Sequence, residues 1–201
     1  MRNGLKFSSH EEYLALRDGA EVLEKDGHGE KVLRLADGSV LKLFRNKRLI
    51  SSTAWYPYAQ RFVDNAGALQ KRGVRVPHVI AALRIPSIKR DAVHYAPLVG
   101  VTLRSLVRQG LDPEVEKRLK KQFTEFVIHL HALGIYFRSL HLGNVVLTPA
   151  GELGLIDFSD LRLYRWSLPV FMRRRNIQRM LGIDNERDWI DSEAILQRRV
   201  A

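Results

Sequence analysis

Apolar residues in this chain recur with two different periods, and the change from one to the other falls near its middle. Glu21 to Lys25 and Lys31 to Leu35 alternate apolar and polar residues on either side of Asp26-Gly27-His28-Gly29. That is the pattern of a β-hairpin closed by a glycine turn. Asp37-Gly38 is a second tight-turn signal, and Val40-Leu41-Lys42-Leu43-Phe44 follows as a third strand. Beyond residue 110 the period lengthens. Val115, Leu119, Phe123, Phe126, Leu130 and Leu133 recur at three- and four-residue steps, behind Asp112 as cap and Pro113 in the first turn, with Gly134 as terminator. Strands that cluster first and helices that follow predict an α+β fold, not a parallel sheet of alternating units.

The intervening segments fit this division. Ser9-His10-Glu11-Glu12 is a capping box ahead of a short helix closed by Gly19. Trp55 to Arg72 reads as a helix with Phe62 and Leu69 on its apolar side and Gly73 after it. Val79–Ile85 and Val93–Tyr95 read as strands separated by Pro86, and Pro97-Leu98-Val99-Gly100 as a hinge. Thr102–Gln109 and Leu168–Leu181 are helical, and Val145–Leu147 with Leu153–Ile156 forms a small hairpin around Pro149-Ala150-Gly151. The expected organisation is an N-terminal lobe over residues 1–98 and a helical C-terminal lobe over 99–201, ending in a polar stretch.

Composition narrows the function. The chain has 201 residues, 33 Lys+Arg against 22 Asp+Glu, a formal net charge of +11 and no cysteine. The absence of cysteine excludes disulfides, thiolate metal sites and a thiol nucleophile. With a polar start and no long apolar run, the expectation is a cytoplasmic protein that does not span a membrane. The positive balance favours phosphate-bearing partners, such as a nucleotide or an anionic membrane surface. Its clusters, Arg45-Asn46-Lys47-Arg48 and Arg173-Arg174-Arg175, read first as solvated faces. No zinc-finger spacing and no RNA-binding aromatic signature occur, so nucleic acid is the weakest of these partners.

Four features then occur in order: the turn with Gly27 and Gly29, Lys42 within the third strand, the segment Phe137 to Asn144 after the long helix, and Asp157-Phe158-Ser159 after the second hairpin. Together they resemble the protein-kinase-like superfamily, with its glycine-rich loop, strand lysine, catalytic loop and D-F-G motif. The template H-R-D-L-x-x-x-N lies on Phe137 to Asn144, with Arg138, Leu140 and Asn144 matching. The resemblance implies a two-lobed kinase-like fold with a reduced C-terminal lobe, binding ATP and Mg²⁺. In it Asn144 and Asp157 would hold the metal through oxygen. Lys42, Gly27 and Gly29 would meet the nucleotide phosphates, and Ser139, His141 and Asp157 would line the reacting centre. The usual glutamate partner of the lysine is missing, and Asp64 is the acid available on the helix before Arg72.

More narrowly, the chain is similar to the bacterial lipopolysaccharide core kinases that phosphorylate heptose or Kdo sugars. The supporting segments are Val40 to Arg45, Gly73 to Pro77, Pro97 to Leu103 and Leu155 to Phe158. This implies a core sugar or similar non-protein hydroxyl as acceptor, reached at the inner face of the inner membrane. Two positions depart from the superfamily pattern: Ser139 stands where the proton-accepting aspartate belongs, and Ser159 where the D-F-G glycine belongs. A serine is no base near neutral pH. A pseudokinase, binding nucleotide without turnover, is therefore the alternative. Asp160 reads as a loop cap, with a role as substitute base as its second reading, and His129 and His131 as surface or core residues and not as ligands.

Overall fold

The computed structural model describes residues 5–45 and 56–197, and the chain divides into two units, Met1–Leu98 and Val99–Ala201. The basic run at residues 46–48 and the expected helix start at Trp55 lie outside the described residues. Helices and strands are both abundant, as an α+β fold requires.

In the first unit, β1 (Lys6–Phe7) leads into α1 (His10–Arg17). The Ser9 hydroxyl accepts from the Glu12 backbone N–H at 3.1 Å, and the Glu12 carboxylate accepts from the Ser9 N–H at 2.8 Å, completing the capping box. The strands β2 (Glu21–Asp26), β3 (Gly29–Arg34) and β4 (Val40–Arg45) form the expected meander. The helix α2 (Tyr58–Lys71) separates them from β5 (His78–Ile85) and β6 (Arg90–Ala96).

The sheet has six strands in the order β1-β5-β6-β4-β3-β2, all antiparallel except the β1–β5 pair. It is larger than the three-stranded sheet read from the first fifty residues, because the β5–β6 hairpin docks on β4 along its whole length. β6 also begins earlier than its apolar residues suggest. Asp91 interrupts the alternation, yet it is buried at 2% exposure and receives the Arg84 guanidinium at 2.9 and 3.3 Å. Tyr13, Leu33, Leu35, Leu41, Leu43, Ile85 and Ala92 make one core cluster with α1, and α2 buries Ala59, Phe62, Ala66 and Leu69. At the far edge, every residue of β2 is exposed, and its pairing with β3 shifts register on both sides of Glu24.

In the second unit, β7 (Val101–Thr102) runs into α3 (Leu103–Gln109), capped by the Thr102 hydroxyl. The long helix α4 (Pro113–Ala132) begins where Asp112 accepts from the Glu114 N–H at 3.0 Å. Leu119, Phe123, Val127 and Leu130 form its buried stripe. Then follow β8 (Ile135–Tyr136), β9 (Val145–Leu147), β10 (Leu153–Leu155) and β11 (Arg162–Leu163). They pair antiparallel as β10-β9-β7 and β11-β8. The helix α5 (Val170–Leu181) comes next. The polar tail then folds into a 3-10 segment, Asp184–Trp189, and α6 (Ser192–Gln197). Two of its apolar residues, Trp189 and Ile195, are buried, and Trp189 meets Phe123 edge-on at 6.4 Å. No helix among the described residues is long and apolar enough to cross a membrane.

Candidate functional site

In the first unit, the glycine turn sits between β2 and β3. Asp26 accepts from the His28 N–H at 2.8 Å, which holds its carboxyl below the usual carboxylate range. Arg90 donates to the His28 carbonyl at 2.6 Å. Gly29 has φ +109°, a conformation that side-chain-bearing residues rarely adopt, and an added Cβ on Gly27 would meet nothing within 4 Å. Lys42 lies opposite Val93 on β6, half-buried, with its Nζ 5.9 Å from the centroid of the Phe44 ring. Asp64, on α2, accepts from the Tyr56 hydroxyl at 2.7 Å and from Gln60 at 2.9 Å.

In the second unit, the segment from Phe137 to Asn144 is pinned from several sides. Phe137, Leu140 and Leu142 are buried. The Asn176 amide, from α5, donates to the Phe137 carbonyl at 2.8 Å. Leu142 donates its N–H to Glu186 at 2.8 Å, and Arg104 donates to the same carboxylate at 2.6 Å. Gly143 fits closely: an added Cβ would stand 2.7 Å from the Arg104 guanidinium. The Asn144 amide nitrogen donates to the Ser139 carbonyl at 2.8 Å, which fixes the amide's orientation.

From there the backbone reaches Asp157. The Ile156 N–H donates to the Asn144 carbonyl at 3.0 Å, so the residue preceding Asp157 is tied to the asparagine. Asp157 is exposed and has φ +52°, while Phe158 beside it is fully buried. A left-handed backbone is uncommon outside glycine, although aspartate adopts it more readily than most residues, and Lys89 shares it. Two residues further on, Asp160 accepts from the Ser139 hydroxyl at 2.7 Å. The other Asp160 oxygen is buried and has no hydrogen-bond partner among the described residues. Ser139, Asn144 and Asp157 thus share one small region, with a carboxylate bonded to the serine.

His141 is half-buried beside them. Burial pushes its imidazole below the ordinary histidine range, Arg104 adds to the effect, and Glu186 and Asp157 oppose it. Its Nδ1 is buried without a partner among the described residues. The residues that sequence reasoning missed are the supports, Arg104, Glu186 and Asn176. Glu186 lies in a charge-rich stretch that reads as solvated; the only local signal was Gly143, where the guanidinium needs the room.

The oxygen donors suit a hard cation. Mg²⁺ takes one or two carboxylates and completes its octahedron with water and phosphate oxygens, and Asp157 and the Asn144 amide oxygen are the residues here that could hold it. No group of three or more His, Cys, Asp or Glu residues that could hold a metal ion forms among the described residues.

No known family profile matches the chain. The chain is similar to CBL-interacting protein kinase 22 of Oryza sativa subsp. japonica, 31% identical over 87 residues, which are 41% of this chain and 19% of that protein. This chain therefore spans about a fifth of the curated relative it matches, and the likeness is a partial one to a protein kinase.

Proposed function

We propose that the protein is a phosphotransferase of kinase-like, two-lobed fold, using ATP and Mg²⁺ to phosphorylate a non-protein hydroxyl such as that of a lipopolysaccharide core sugar. The observation that carries this reading is the 2.7 Å hydrogen bond from Ser139 to Asp160. It supplies a carboxylate beside the position where the catalytic-loop template has one and this sequence has serine.

The chemistry follows from those residues. When bound, Mg²⁺ would neutralise charge on the phosphates, with Asp157 and Asn144 as its protein ligands. Lys42 and the turn at Gly27 and Gly29 would contact the nucleotide phosphates. The Ser139 hydroxyl, donating to Asp160, keeps its lone pairs for the acceptor's O–H. As the acceptor oxygen bonds to the γ-phosphorus, its proton passes to Ser139 Oγ, and the Ser139 proton passes to Asp160. The bridging P–O bond breaks, and its electron pair leaves with ADP. A positioned base of this kind contributes about 10²- to 10⁴-fold. Asp64, held by Tyr56 and Gln60, would steady the helix near Lys42 in place of the usual glutamate.

The test is transfer of label from γ-labelled ATP, with Mg²⁺, to purified lipopolysaccharide core lipid. Wild type should transfer phosphate, Asp157→Ala should not, and Asp160→Asn should be slowed at least about 10²-fold. Nucleotide binding without transfer in every protein would establish the pseudokinase alternative. Absence of nucleotide binding would remove both.

A further inference from the structure

Beside the loop that carries Ser139 lies a cleft of about 440 Å³ walled by Arg138, Arg162, Arg175 and Arg179. Arg138 directly precedes Ser139. Arg162 is on β11, opposite Tyr136 of β8, two residues after Asp160. Arg175 and Arg179 are one turn apart on α5. Among the described residues, none of these four guanidiniums has a carboxylate or hydrogen-bond partner, whereas Arg84, Arg104 and Arg187 each have an acid. All four are exposed, and the like charges of Arg175 and Arg179, one helical turn apart, are mildly unfavourable, so an anion placed among the four would be attracted to the cleft. A planar guanidinium matches phosphate oxygens two at a time.

The rim is apolar. Phe171, which also lines the cleft, is 71% exposed, and its neighbour Val170 is 46% exposed. Trp166 is 64% exposed, with its ring 6.0 Å from that of Tyr164 in the cleft wall. Exposed aromatic side chains beside arginines are the composition of a surface that enters the headgroup region of a bilayer. A soluble phosphate would use the arginines and leave the rim idle.

We propose that this cleft binds the phosphate-bearing headgroup of a lipid, with Phe171, Trp166 and Val170 entering the membrane around it. The inference rests on the phosphotransfer reading in one respect, since it makes the acceptor an already phosphorylated, membrane-borne molecule presented next to Ser139.

Co-sedimentation of the full chain with phosphatidylcholine vesicles, with and without phosphatidic acid, tests it. Wild type should bind only the phosphatidic acid vesicles. Arg175→Gln/Arg179→Gln should weaken that binding at least tenfold more than Lys117→Gln/Arg118→Gln, which removes the same charge from exposed positions on α4. Phe171→Ser should weaken vesicle binding while leaving competition by inorganic phosphate unchanged. Equal losses in the two charge variants would overturn the cleft as a site. So would inorganic phosphate binding at the arginines without vesicle binding, which would make free phosphate the ligand. The ATP-induced rise in melting temperature is read in parallel. If that rise survives while vesicle binding fails, the cleft proposal alone falls. If vesicles bind and ATP gives no rise, phosphotransfer falls and the lipid site stands.

Discussion

Ser139 and Asp160 act as a pair, and the pair makes a prediction that neither residue makes alone. Ser139→Asp by itself sets two carboxylates within hydrogen-bonding distance, where they compete for one proton. We expect it to transfer phosphate more slowly than wild type at neutral pH, although it restores the residue that the superfamily pattern has there. Ser139→Asp/Asp160→Ser keeps one carboxylate and one hydroxyl, and should recover much of the loss. A labelled-ATP double-mutant cycle measures the coupling; additive losses would show that the two side chains act independently. A second residue-scale prediction concerns His131, which is fully buried with Nε2 3.0 Å from the Asn176 amide oxygen. Burial pushes its pKa down to about 4, the Asn176 hydrogen bond opposes this, and the Arg173 charge adds to the lowering. The unfolded chain binds that proton near pH 6.5. Stability is therefore complete above pH 6.5 and is lost as pH falls from there towards 4, by roughly 3 kcal/mol at most. Urea midpoints between those pH values should slope for wild type and flatten for His131→Gln.

The elements show how much of this was legible in sequence. Local signals carried the capped helices and the β2-β3-β4 meander, because each of those elements is decided by residues within a few positions of one another. β1 was not legible: a two-residue strand has no period, and its pairing with β5 is set some 75 residues away. The tail read as polar because two buried apolar residues, Trp189 and Ile195, do not make a stripe. Asn144 and Asp157 are singled out by the resemblance to the superfamily's catalytic-loop and D-F-G motifs. Glu186 could not be read, since its burial depends on Arg104, 82 residues earlier. The hinge-like Gly100 illustrates the same limit. It has φ +145°, and an added Cβ would overlap the Leu147 carbonyl oxygen and stand 2.7 Å from Val146 Cγ1. Gly100→Ala should therefore pry β7 from β9 and destabilise the second unit by about 1–3 kcal/mol. A lower melting temperature, with far-UV circular dichroism otherwise native, would register this.

At the scale of the whole molecule, ligand binding should be visible as stability. Ligands that bind only the folded state raise its free energy of unfolding by about 2.7 kcal/mol at a hundred times Kd. ATP with Mg²⁺ should raise the melting temperature more than ATP alone, and Asp157→Ala should abolish the difference between them. Identical metal-dependent shifts in both proteins would remove Asp157 as the ligand. Encounters between molecules are governed by a different feature, the outer strand β2. A sheet margin with free backbone groups is an invitation to a neighbouring chain. Here Glu21, Glu24, Lys25 and Asp26 flank two adjacent apolar residues, Val22 and Leu23, and the margin is kinked where its register shifts. A second copy approaching edge to edge meets its own charges and a bent template, so concentrated solutions should resist fibril growth at this margin. The outer strand thus offers its free backbone only on a charged and bent margin.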